Sequence, residues 1–144
     1  RQNCSDNAYH NKFQSLVDFE VALIRGYDYY LNNKEDVIKR MVDYSAQDPA
    51  YVEAALYGTD SYRNMMDLSP DPHTDEIIDY YKAMIELGKL DNGADYGGLT
   101  GDPNAMDKYA TSEVYKRALD RLVSQYPDNK TYQKLAADFE IYNS

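Results

Sequence analysis

Apolar residues recur along most of this chain with the 3.6-residue period of an α-helix. No stretch of useful length alternates with the period of two that a half-buried strand needs. From about Ser5 to Leu31 the residues Phe13, Leu16, Val17, Phe19, Val21, Leu23, Ile24 and Tyr27 put apolar side chains on more than one face, the pattern of a central helix buried between neighbours. Gly26 lies inside it at a cost of about 1 kcal/mol relative to alanine, which points to the close approach of another backbone or to a slight bend. Asn33 is placed to cap a second helix with Glu35 and Asp36 in its first turn and the stripe Val37, Ile38, Met41, Val42.

Further along, Asp48-Pro49 combines a capping side chain with a proline suited to the first helical position. It opens a short helix through Tyr51, Val52, Ala55 and Leu56 that Gly58 can close. Thr59 to Leu68 reads as a helical turn or a loop. Ser69-Pro70-Asp71-Pro72 must break the chain, because each proline lacks an amide donor and restricts the residue before it. Thr74, Asp75 and Glu76 then start a helix with Ile77, Ile78, Tyr81, Met84 and Ile85 on one stripe, ended by a left-handed Gly88. Residues 91–110 hold Gly93, Gly97, Gly98, Gly101 and Pro103 among small and acidic residues and read as one long Gly-rich loop. Thr111 or Ser112 can cap the next helix, with Val114, Tyr115, Ala118, Leu119, Leu122 and Tyr126 inward and Pro127 as its stop. Asp128 is placed to cap the last, with Tyr132, Leu135, Ala136 and Phe139 inward. The expected fold is all-α, a bundle of about five to seven helices, and residues 1–144 read as a single helical unit.

Size agrees with that expectation, since 144 residues with 43% hydrophobic content suffice for one core. Charge narrows the partners. With 25 acidic against 15 basic residues the formal net charge is -10, which disfavours nucleic acid and anionic lipid, because both are bound through clustered positive charge. No apolar run approaches the roughly 20 residues needed to cross a bilayer, and the first residue, Arg1, suggests that something upstream has been removed. The lone Cys4 cannot form an internal disulfide, so packing must hold the fold. Sixteen tyrosines, three phenylalanines and no tryptophan suit helix interfaces where one end of a ring packs and the hydroxyl stays hydrogen-bonded.

Candidate chemistry is sparse. His10 and His73 have no second His or Cys at i, i+4, so neither forms the helical pair that zinc sites use. Cys4 lacks a helix N-terminus or basic cluster to activate it, although Arg1 is near in sequence. Asp91-Asn92-Gly93-Ala94-Asp95-Tyr96 starts like a calcium loop, yet Tyr96 stands where the turn needs glycine and Asp102 where the closing glutamate belongs. Gly97, Gly98 and Gly101 follow no strand and precede no lysine in phosphate-binding register. Asn3-Cys4-Ser5 and Asn129-Lys130-Thr131 match the glycosylation acceptor triplet, which matters only in a eukaryotic secretory protein. Carboxylate pairs are expected by chance among 25 acidic residues. The expectation is therefore no enzyme, no catalytic residue, no metal and no cofactor.

The order of segments nevertheless resembles a known family. Arg1-Gln2 leading into a long helix, then residues 19–44, 54–58, 69–90 and 111–129, resemble the C-terminal part of solute-binding proteins for ABC importers of the nitrate, sulfonate, taurine and thiamine-precursor group. Ala22 to Tyr30, Asp71-Pro72, Gly88-Lys89-Leu90 and Ser112 to Leu119 carry the likeness, through order and spacing rather than any single motif. The resemblance implies a helical layer of a two-lobe, periplasmic-binding-protein-like α/β receptor, extracytoplasmic or lipid-anchored, that hands a small solute to a membrane permease. In that arrangement only Arg1 and Gln2, nearest the cleft, would touch ligand. The missing α/β lobes and the permease would be its partners, with self-association through exposed apolar helix faces as a further possibility. A reading of another class is a tetratricopeptide-like scaffold for protein-protein interaction, from Tyr115 to Leu135, although no second copy stands one period of about 34 residues upstream.

Overall fold

A computed structural model describes residues 3–64, 68–90 and 110–143. The described residues form seven helices: α1 (Asp6–Asn11), α2 (Phe13–Asn32), α3 (Lys34–Ser45), α4 (Pro49–Tyr57), α5 (Thr74–Glu86), α6 (Glu113–Gln125) and α7 (Lys130–Tyr142). The all-α expectation holds among them. Residues 91–109 of the expected Gly-rich loop lie outside the described residues.

Local chemistry explains most boundaries. Ser5 accepts from the Ala8 amide and starts α1. The expected single helix from Ser5 to Leu31 is divided at Lys12, whose φ of -130° leaves the helical region. Asp, Asn and His dominate α1, and these are weak helix formers, so the segment holds little more than one turn. Asp48 accepts from the amides of Ala50 and Tyr51, with Pro49 at the first helical position as its type predicts. At the far end of α4, Gly58 has a φ of 72° and donates to the Ala54 carbonyl. Thr59 and Tyr62 then exchange backbone hydrogen bonds at 2.7 and 3.2 Å, a tight turn, so of the helical turn and the loop it is the loop that the described residues 59–64 form.

Two capping expectations are corrected. Asn33 stands at the start of α3 but makes no cap bond, because its amide instead donates to the Tyr29 carbonyl and closes α2. Asn129 rather than Asp128 caps α7, accepting from the Tyr132 amide at 3.0 Å. Its own amide donates to the Tyr126 carbonyl, so Asp128 is taken up in the turn. After α5, Gly88 adopts φ 62° and donates to Ile85, while Lys89 donates to Met84, the paired bonds of a Schellman motif.

The chain divides into two compact units. The first comprises the chain up to Val21 and from Asp71 onward. Its core is Tyr115, Ala118, Leu119 and Leu122 of α6 with Tyr132, Leu135 and Phe139 of α7, joined by Val17 and Tyr81. The rings of Tyr115 and Phe139 stack with centroids 6.0 Å apart. The second unit runs from Ala22 to Pro70 and is thinly cored, with Ile24, Val52 and Leu56 as its buried apolar residues. Helix α3 buries no residue completely. Tyr30 and Tyr57 hold this unit together by reciprocity. Their rings stack at 4.7 Å, Tyr30 donates its hydroxyl to the Leu56 carbonyl, and Tyr57 donates its own to the Tyr30 carbonyl. Burial on one stripe also corrects the reading of α2: Val17, Glu20 and Ile24 are inside, whereas Phe19, Leu23 and Leu31 face solvent. A Cβ at Gly26 would meet nothing within 4 Å, so no other segment of the described chain approaches that glycine closely.

Candidate functional site

Within the first unit, α1 and the first turns of α2 face α6 across an open cleft of about 560 Å³. Tyr9, His10, Phe13, Gln14 and Val17 line one side, and Glu113, Arg117 and Arg121 the other. The wall from α1 and α2 is aromatic. Tyr9 meets Phe13 edge-on with ring centroids 5.4 Å apart, and meets His10 the same way at 5.5 Å. Such edge-to-face contacts favour a fixed ring geometry over a flat sandwich.

The wall from α6 is charged because residues four apart project on one side of a helix. Glu113, Arg117 and Arg121 have that spacing. Tyr9 donates its hydroxyl to Glu113 Oε2 at 2.9 Å, and this bond ties α1 to α6. Burial, and then the neighbouring Glu113 carboxylate, push the Tyr9 phenol above its ordinary pKa, so the hydroxyl keeps its proton and remains a donor. Arg121 reaches across to Asp18 Oδ1 at 2.7 Å, and Gln14 donates to the same oxygen at 3.0 Å. These two donors, Arg121 first, lower the Asp18 carboxyl below its usual range. Arg117 is held more loosely, 3.7 Å from Glu113 Oε1. The cleft thus presents a guanidinium fork and an aromatic face. It can recognise an anion or a flat apolar group, and no Ser, Thr, Cys or Lys is among its lining residues.

The residues singled out from sequence scatter. Arg1 and Gln2, the expected ligand contacts, lie outside the described residues. His10 edges the cleft, whereas His73 sits before α5 with its ring stacked on Tyr142 at 4.2 Å and Nδ1 3.2 Å from Glu76. Cys4 is exposed. Asn129 is occupied as the cap of α7. The residues of the cleft's charged wall were not anticipated, and the one signal for them in sequence is the Arg117–Arg121 spacing on a helix of an otherwise acidic chain.

A second polar cluster fastens the C-terminus. His73 has a φ of 49° and no side-chain cap bond, so Asn143 supplies the missing cap from the other end of the unit. Its Oδ1 accepts from the Thr74 amide at 3.1 Å and from the Thr74 hydroxyl at 2.9 Å. Its amide donates to Asp71 at 2.8 Å, and Asp71 also accepts from the His73 backbone. Asp71 and Thr74 are both buried.

Comparison of the chain with protein-family models, curated proteins and solved structures gives no match.

Proposed function

We propose that the chain is a non-catalytic helical layer that works by packing on another protein surface, as the C-terminal portion of an extracytoplasmic solute-binding protein serving an ABC importer. One observation carries this reading. The second unit leaves more large apolar side chains in solvent than it buries: Leu23, Leu31, Met41, Tyr44 and Tyr51 are exposed, Tyr44 at 88%, against the buried trio Ile24, Val52 and Leu56. We read this surplus of exposed over buried apolar side chains as the place where a partner packs. The open space over Gly26 on α2 would let a partner backbone come close. The resemblance in the order of segments from Ala22 to Leu119 supports an α/β lobe of such a receptor as that partner.

The test uses the complete gene product. Its thermal midpoint should rise with nitrate, taurine, an alkylsulfonate or an aminopyrimidine, because a ligand that binds the native state stabilises it by mass action. A gene product that has no α/β lobes, or that ignores every member of the panel, sinks the receptor reading.

A second reading, a scaffold of tetratricopeptide type, is favoured by α6 and α7. These are two 13-residue helices joined by the short turn around Pro127 and packed through Ala118, Leu119, Leu122, Leu135 and Phe139. It requires the chain to bind a peptide alone, with no α/β lobe present.

A further inference from the structure

The cleft between α1, the start of α2 and α6 belongs to the first unit, and its chemistry differs from that of the apolar side chains of the second. A chain with a net charge of -10 repels anions at long range, yet Arg117 and Arg121 converge on this one aromatic-walled recess. At physiological salt, charges beyond about 8 Å are largely screened, so the charges at the recess itself, Arg117 and Arg121 set against Glu113 and Asp18, decide what can bind there.

Within the recess the donors are unequal. Arg121 is fixed by Asp18 at 2.7 Å, and Asp18 is steadied by Gln14. Arg117 stands 3.7 Å from Glu113, beyond the 2.7–2.9 Å of a strong charge-assisted bond. A guanidinium carries five N–H donors in a planar fork that matches a carboxylate, and one long contact to Glu113 leaves that fork open to an incoming pair of oxygens. Facing it, Tyr9 and Phe13 offer the edge and face of an aromatic pair whose geometry is pinned by the Tyr9–Glu113 bond. Val17, which is buried, lines the same recess with an apolar surface. The volume of about 560 Å³ falls in the range of small-molecule sites.

We propose that this cleft binds a small aromatic carboxylate, its carboxylate paired with Arg117 and its ring packed against Tyr9 and Phe13. Arg121 is a positioning residue that keeps the charged wall in place. The proposal does not rest on the receptor reading, since every residue involved belongs to this chain.

The experiment is a backbone-amide NMR titration of the chain with 3-phenylpropionate and, separately, with the neutral 3-phenylpropanamide. The acid should shift amides of α1, the first turns of α2 and α6, and should bind about tenfold more tightly than the amide analogue. In Arg117→Gln the acid should weaken by about tenfold while the analogue is unchanged. The exposed position of that side chain makes loss of the fold an unexpected outcome, and far-UV circular dichroism checks it. Equal binding of the two compounds to the native chain, shifts confined to other helices, no shift at about 10 mM acid, or an Arg117→Gln variant that binds like the parent would each overturn the assignment. The comparison of two ligands on the native chain keeps the test decisive even if the variant misfolds.

Discussion

At the scale of single residues, Asn143 brings local order that no sequence motif announces. It caps α5 because His73, at φ 49°, cannot, and it brings a donor to buried Asp71. Asn143→Ala removes the acceptor for both Thr74 donors and one donor to Asp71. A lost cap costs about 1 kcal/mol and a buried polar group deprived of its partner about 1–3 kcal/mol, so urea denaturation should show a loss of about 2–3 kcal/mol. A change below about 0.5 kcal/mol would mean that water replaces the clasp without penalty. Tyr57 offers a test by pH. Burial first, and then the neighbouring Tyr30 phenol, push its pKa from 10.0 up to about 12. The folded state therefore keeps a proton that the unfolded chain releases, so this contribution to stability is complete below pH 10 and is lost as pH rises towards about 12. Tyr57→Phe should flatten the alkaline limb of the stability curve in that window. An unchanged slope of the urea midpoint between those pH values would assign the limb to other groups.

At the scale of elements, the three described glycines rank by geometry rather than by type. Gly26 is helical, and an added Cβ would meet nothing within 4 Å, so Gly26→Ala should stabilise by about 0.5–1 kcal/mol. Gly88 also has open space, but its φ of 62° closes the Schellman motif, so Gly88→Ala should cost about 1 kcal/mol from backbone strain alone. Gly58 combines φ 72° with a Cβ that would lie 2.9 Å from the Asn64 nitrogen and 3.0 Å from the Tyr62 carbonyl oxygen, so its alanine variant should be the worst of the three. Thermal midpoints in the order Gly26→Ala, parent, Gly88→Ala, Gly58→Ala check the argument, and any inversion refutes it. The same locality explains what the sequence makes legible. Asp48-Pro49, Gly58, Gly88 and the α6 stripe act within one or two turns, and a reader of the chain sees both partners at once. Asn129 displaced Asp128 as a cap by a single residue, a shift that turn geometry decides and composition does not. The cleft was hidden because Tyr9 and Glu113 stand 104 positions apart, and the cap of Thr74 by Asn143 spans 69. Periodicity predicts which face of a helix is apolar but not which other helix will share it, and for α2 it overstated how much of that apolar surface is covered.

At the scale of the whole molecule, the two units differ in how much apolar surface secures them, and that difference has a kinetic consequence. Among the described residues, nine of the twelve buried apolar side chains, from Val17 through Phe139, belong to the first unit, with Leu122 wholly inaccessible. The second contains three, and its helix α3 none. Among its ties are polar ones: the hydroxyls of the Tyr30–Tyr57 pair, the Lys34–Glu53 bridge at 2.6 Å between half-exposed side chains, and the Tyr29–Asp36–Arg40 chain on the surface. Exposed bridges contribute about 0–1 kcal/mol each, so they cannot replace a core. Native-state hydrogen exchange should accordingly find the amides of α3 and α4 opening at lower free energy than those of α6 and α7, because regions with few buried apolar contacts open locally before the molecule unfolds. Leu122→Ala, which removes side-chain volume from a fully buried site, should lower global stability by about 2–5 kcal/mol and shift the α6 and α7 amides, while exchange in α3 and α4 is already limited by their own opening and should change little. Equal protection in all four helices would show that the exposed apolar residues of the second unit carry no deficit, and the case for a partner surface over them would lose its physical basis.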